Sequence, residues 1–98
     1  MKKQFIIISL KHTEEDGIMF WNPDRAGYTY NPFRAGVYEE EDILNNLDYY
    51  HSGNSLVVGL RDQDTLRRLG VIGGKLKAAE CKEYYKEFIA KYKTAVKP

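Results

Sequence analysis

Six consecutive residues, Phe5-Ile6-Ile7-Ile8-Ser9-Leu10, are almost wholly apolar, and they constrain the fold more than any other stretch. A half-exposed strand alternates apolar and polar positions. An unbroken β-branched and aromatic run fits a strand covered on both faces. Residues 4–11 are therefore expected to form the first strand of a sheet with material packed against it. The preceding Met-Lys-Lys-Gln gives a passing likeness to a signal peptide. The apolar stretch is too short for one, and Lys11-His12-Thr13-Glu14-Glu15 follows with no small-residue cleavage site. No apolar run approaches the roughly 20 residues that span a bilayer.

Turn chemistry divides the rest of the chain. Glu14-Glu15-Asp16-Gly17 reads as a polar turn, so Ile18-Met19-Phe20-Trp21 should form a hairpin with the first strand. In Asn22-Pro23-Asp24 the proline presets φ, and the Asn and Asp side chains bond nearby backbone. A short third strand over residues 27–30 is closed by Asn31-Pro32, because proline disfavours helix at the residue before it. Residues 39–50 read as a helix: acidic side chains oppose the dipole in the first turn, and Ile43, Leu44, Leu47 and Tyr50 share one face. Gly53 is expected to cap it in the left-handed conformation. A strand over residues 55–60 follows, then a short helix capped by Asp62 and stopped by Gly70, with Val71-Ile72 extended. The last helix, from about Leu76 to Ala95, carries an apolar stripe of Cys81, Tyr84 or Tyr85, Phe88, Tyr92 and Ala95 among lysines. The reading is one α+β domain over residues 1–98: a small, mostly antiparallel sheet in β-β-β-α-β-α-α order, with helices on one face.

With 98 residues, 43% hydrophobic and 30% charged, the composition is that of an ordinary globular domain. The single cysteine, Cys81, allows no intrachain disulfide, and a reducing, cytoplasmic setting is expected. A net charge of +1 argues against generic nucleic-acid binding. That total hides a polarity. Residues 31–60 carry one Arg against five acids, −4, whereas residues 75–98 carry seven Lys against three Glu, +4. The asymmetry suggests an acidic face and a basic helix that pack near each other, or pair between subunits.

The catalytic and metal templates fail. Two histidines and one cysteine do not make a Cys/His zinc site, and no phosphate-binding glycine pattern follows a strand. Thr13 directly follows His12, and Ser52 directly follows His51. That spacing puts histidine and hydroxyl on opposite faces of a strand, unlike the paired His-x-Thr/Ser strands of two-histidine phosphoesterases. No enzyme activity, cofactor or metal is expected.

Residues 11–38 concentrate the remaining chemistry. Phe20, Trp21, Tyr28, Tyr30, Phe33 and Tyr38 are interleaved with Lys11, His12, Arg25 and Arg34. Aromatic faces stack on bases, and arginine pairs bidentately with phosphate, so this makeup suits a nucleotide. A core built of Phe20, Trp21 and Phe33, edged by tyrosines, explains the same residues without a ligand. Tyr and Arg also dominate protein-interface hot spots. Tyr49-Tyr50-His51 extends either surface, with Tyr50 expected to pack inward.

Ser9-Leu10-Lys11-His12-Thr13, Phe20-Trp21-Asn22-Pro23, Ala26-Gly27-Tyr28 and Ala35-Gly36-Val37-Tyr38 together resemble small uncharacterised proteins of bacteriophages and prophages. The resemblance covers about the first 60 residues. It implies a phage accessory protein in the bacterial host cytoplasm, of a kind that counters host defence, and it supplies no catalytic residues.

Three readings follow. The first is a non-enzymatic protein that sequesters a small nucleotide signal through Lys11, His12, Trp21, Arg25, Tyr28 and Arg34. The second is an inhibitor of a host defence protein, such as a CRISPR effector, acting through Glu39, Glu40, Glu41 and Asp42. The third is a structural or regulatory phage protein. The opposed charges and surplus tyrosine also fit a homodimer with a shared site.

Overall fold

A computed structural model of the chain describes residues 3–14 and 17–96. The polar turn expected at residues 14–17 therefore lies partly outside the described residues. Among the described residues five strands form one antiparallel sheet: β1 (Gln4–Glu14), β2 (Gly17–Trp21), β3 (Tyr28–Thr29), β4 (Tyr38–Glu39) and β5 (Ser55–Gly59). Four helices complete an α+β fold: α1 (Glu40–Asn45), α2 (Leu47–Tyr50), α3 (Gln63–Leu69) and α4 (Ala78–Val96).

β1 is the centre, as its composition demands. β2 and β4 share one of its edges and β5 takes the other, with Ile8 opposite both Phe20 and Leu56, and Phe5 opposite both Tyr38 and Gly59. Phe5–Ser9 and Ser55–Val58 are buried at every position, so both faces of these strands are covered. β2 keeps the alternation of a half-covered strand, burying Ile18 and Phe20 and leaving Met19 and Trp21 partly exposed. Between Ser9 and Glu14 the register with β2 slips. The Thr13 hydroxyl fills that bulge, donating to the Ser9 carbonyl and accepting the Met19 N–H.

The helices depart from expectation in detail. The helix read over residues 39–50 is broken at Asn46, whose φ of −135° is not helical and whose amide bonds back to Asp42. Tyr50 and Ile43 are fully buried, as the apolar face requires. The chain leaves α2 through an extended His51, and Gly53 has no positive φ, so the expected left-handed cap is absent there. Ser52 instead closes a tight turn onto Ser55. α3 begins and ends as read: Asp62 accepts the Thr65 N–H, and Gly70 takes φ 94°. Gly70 donates to Arg67 and Val71 to Leu66, the two bonds of a Schellman cap. The chain then turns back on itself, which is why Val71-Ile72 is a turn and not extended.

α4 presents Cys81, Tyr84, Phe88 and Tyr92 to the core. Burial raises the pKa of the Cys81 thiol, which keeps it protonated. Arg68 of α3 ties the two last helices together, donating from Nε to Glu80 at 2.7 Å and through both terminal nitrogens to Glu87 at 2.8 Å. Among the described residues no ion pair joins the acidic segment at residues 39–48 to the lysines of α4; the ion pairs found lie within and between α3 and α4.

The outer edge of β5 is covered by side chains and turns. Ser55, Val57 and Gly59 point their backbone groups away from β1. The Ser55 carbonyl accepts from Ser52 N–H and the Gly59 carbonyl from Asp62 N–H. Val57 is held on both sides: its N–H donates to His51 Nδ1 at 3.0 Å, and its carbonyl accepts the Tyr84 hydroxyl at 2.6 Å. Because Nδ1 accepts, His51 must carry its proton on Nε2, which donates to the Tyr85 carbonyl at 3.1 Å. The ring lies flat on Tyr85 at 4.9 Å and close to Phe88 at 4.3 Å.

Candidate functional site

The hairpin ends at Trp21, and the loop after it is pinned from inside. Asn22 donates from its backbone to Gly27 and from its side-chain amide to Ala26 and Tyr28, folding residues 22–27 into a tight arch. Within the arch, Asp24 and Arg25 both take left-handed backbone, at φ 57° and 61°. Two consecutive non-glycine residues in that region are strained, and surrounding structure has to hold them. The hydroxyl of buried Tyr38 does so, donating to the Asn22 carbonyl at 2.6 Å and accepting the Arg25 N–H at 3.0 Å. Burial raises the Tyr38 pKa, the Arg25 N–H opposing it, so this hydroxyl stays protonated and able to donate.

Tyr38→Phe should remove both bonds and leave the Arg25 N–H and Asn22 carbonyl unmatched. A loss of about 1–3 kcal/mol is expected. Urea unfolding gives the size, and faster exchange of the Arg25 amide would locate it. A variant as stable as the parent, with an equally protected Arg25 amide, would refute this role.

Trp21 is the hub of the aromatic cluster. Tyr28, Tyr38 and Tyr49 meet its ring edge-on at 6.4, 6.5 and 5.5 Å, and Tyr50 lies tilted at 5.7 Å. Arg25 places its guanidinium 6.0 Å from the centre of the Tyr49 ring. The Tyr50 hydroxyl donates to Asp42 at 3.0 Å, and burial together with that carboxylate pushes its pKa up to about 12.

The chain then projects outward. Asn31 caps a single helical turn over Pro32–Arg34 by accepting the Phe33 N–H at 2.9 Å. Gly36 brings the strand back, donating to the Trp21 carbonyl at 2.7 Å. Phe33 stands at the crest of this turn, 96% exposed. Tyr28, Tyr30, Val37 and Tyr49 are exposed large side chains of the same region or of α2.

The structure brings Trp21, Arg25 and Tyr28 together. Arg34 is exposed on the Pro32–Arg34 turn. Lys11 is not part of the cluster. Extending the register by one residue puts Trp21 opposite Ile7, and Lys11 lies four residues further along β1, bonded through its N–H to Asn54. His12 lies in β1, but its side chain falls outside the described residues. Of the acidic residues, Glu39 accepts from the Gln4 amide, Asp42 accepts from Tyr50 and Asn46, and Glu40 and Glu41 line the first turn of α1.

A core shared by Phe20, Trp21 and Phe33 is not what forms. Phe20 is buried, Trp21 is half-buried, and Phe33 points to solvent because Asn31-Pro32 starts a turn outside the sheet. Tyr30 and Tyr49, both read as parts of a surface, are exposed, whereas Phe33 was expected in a core and Val37 was not singled out. The turn signal ahead of Phe33 was the available clue.

Two concave regions lie elsewhere. One opens beside Leu10, Leu76 and Cys81, and the other beside Phe5, Phe88 and Tyr92; neither includes Trp21, Arg25, Tyr28 or Arg34. Among the described residues no three His, Cys, Asp or Glu side chains gather as a metal site would require, and no helix is long and apolar enough to cross a membrane. Comparison of the chain with protein families, with curated proteins and with solved structures finds no match.

Proposed function

We propose that the chain is a non-catalytic binding protein that docks a protein partner through the exposed side chains of Tyr28, Phe33 and Tyr49, with Arg25 and Arg34 from the same segment. The observation that carries the reading is Phe33, 96% exposed on a turn whose backbone is fixed by Asn31. A phenylalanine exposed on a capped turn contributes nothing to the core, whereas burying it against a partner contributes about 1.5–3 kcal/mol. Its preset position lowers the ordering cost of binding. Tyrosine and arginine around such an anchor are hot-spot chemistry. Arg25 and Arg34 meet no carboxylate at ion-pair distance among the described residues, so the fitting partner surface is apolar with carboxylates at its rim. In the setting that the phage resemblance implies, the partner is a defence protein of the bacterial cytoplasm.

Two other readings have less support. A nucleotide held by Lys11, His12, Trp21, Arg25, Tyr28 and Arg34 would need Lys11 close to Trp21, and the Trp21 ring is already surrounded by four tyrosines. Docking through Glu39, Glu40, Glu41 and Asp42 would use two carboxylates that already accept internal hydrogen bonds.

Capture from bacterial lysate separates these readings. Phe33→Ala should abolish capture at an unchanged unfolding midpoint, while a Glu40→Lys/Glu41→Lys pair leaves capture intact. Equal capture by the parent and Phe33→Ala would sink the proposal, and loss only in the lysine pair would move the interface to α1.

A further inference from the structure

One side chain of the arch stands where its type is least at home. Asp24 and Arg25 fill the two central positions of a turn closed by the Ala26 N–H on the Pro23 carbonyl at 3.2 Å. Their successive positive φ values, 57° and 61°, are those of a type I′ turn, which favours Asn, Asp and Gly. Asp24 suits its place, whereas at position 25 a glycine would relieve the strain.

Nothing inside the fold calls for an arginine there. The bond to the Tyr38 hydroxyl comes from the Arg25 backbone N–H, which a glycine keeps. The side chain is exposed and meets no carboxylate at ion-pair distance among the described residues. That includes adjacent Asp24, and Asp42, which accepts from Tyr50. Its guanidinium stands over the Tyr49 ring, 6.0 Å from the centre. An exposed cation–π contact is worth less than the strain of a left-handed non-glycine residue, so this contact does not explain the choice. Its position does single it out. Tyr49 is 55% exposed and meets Trp21 edge-on, as does exposed Tyr28 from another side. A strained residue thus sets a planar, unpaired cation beside an exposed aromatic group. Such a cation pairs bidentately with a carboxylate.

Resting on the docking reading above, we infer that Arg25 selects the partner: its guanidinium, over Tyr49, pairs with an Asp or Glu carboxylate of the docked protein. The arginine lowers the stability of the free chain and confers recognition.

The test compares stability and binding in the same variants. The probe is the lysate protein that the parent retains and Phe33→Ala does not, purified and titrated onto the full chain. Arg25→Gly should unfold at a higher urea concentration than the parent, by about 0.3–0.5 M. It should nonetheless bind the probe about tenfold or more weakly, the worth of one charge-assisted bond. Arg25→Lys should fall between them, Arg25→Glu should bind least, and parent binding should weaken as salt rises. Arg25→Asn, which also accepts left-handed backbone, replaces the glycine variant should that one fail to fold. A glycine variant less stable than the parent would show that the side chain holds the turn, and would overturn the assignment. Binding unchanged in Arg25→Gly or Arg25→Glu would overturn it too, leaving the Phe33 surface standing. If the parent retains no protein that Phe33→Ala loses, the docking reading itself fails and this assignment with it.

Discussion

Gly70→Ala is expected to lower stability by on the order of 3–5 kcal/mol, enough to unfold much of a domain this small. Two effects add. The residue holds φ 94°, where an L side chain is strained by about 1–3 kcal/mol. A Cβ built there would also lie 1.9 Å from the Lys75 carbonyl oxygen, and backbone cannot swing aside as a side-chain tip does. The Lys75 N–H donates to the Gly70 carbonyl and the Lys77 N–H to Leu69, so the two segments are clamped together at the point of overlap. Relieving the clash by moving them would cost about as much as other overpacking, 1–3 kcal/mol. Gly74 provides the control. It has φ 80° but nothing within 4 Å of a built Cβ, so Gly74→Ala should show the conformational part alone, about 1–3 kcal/mol. Urea unfolding of the two variants side by side checks the argument, and equal losses would refute the steric half of it.

His51 is the second sensitive point, and it makes stability depend on pH. Burial lowers its pKa from 6.5 to about 4, against the raising effect of the Tyr85 carbonyl. A proton on Nδ1 would also displace the Val57 N–H. With the folded value below the unfolded one, the unfolded chain takes up the proton first as pH falls. Stability is therefore complete above pH 6.5 and declines as the pH drops towards 4, by about 3 kcal/mol in all. Glu87, whose pKa its bond to Arg68 lowers, begins to lose its contribution only as the pH falls through the ordinary carboxylate range, so the interval from pH 6.5 to 5 reports mainly His51. His51→Leu should remove that slope. At pH 7 it should cost about 2–4 kcal/mol, from the orphaned Val57 N–H and the lost ring contacts. A parent equally stable at pH 7 and pH 5, or a leucine variant with the same slope, would contradict this account.

Much of the framework was legible in the residues. The unbroken run at Phe5–Ser9 demanded burial on both faces, and that is where the sheet centres. Asp62 and Gly70 delimited α3 because capping is local chemistry, decided within a few residues. What the sequence hid depends on distant partners. β4 is two residues long and exists because Tyr38 and Glu39 meet Phe5 and Gln4 across more than thirty positions. His51 read as a residue at a helix end, yet its place is set by Val57 on one side and Tyr85 on the other. The left-handed pair at Asp24 and Arg25 needs the hydroxyl of Tyr38, which no local signal announces. The candidate surface was half visible. Trp21, Arg25 and Tyr28 were named from residue type alone, whereas the exposure of Phe33 follows from where its turn sits relative to the sheet.

The covered edge of β5 bears on how two copies of this chain would meet. Extending one sheet across a twofold axis through β5 would first require breaking the bonds from Ser52, His51, Tyr84 and Asp62. The opposite border is made of β3 and β4, two residues each, so it offers only Tyr28-Thr29 and Tyr38-Glu39 as templates. Neither edge favours cross-β recruitment, and the fold is guarded against the runaway pairing that open strands invite. Self-association would proceed through side-chain surfaces, leaving the amide I signature of the sheet unchanged between monomer and assembly.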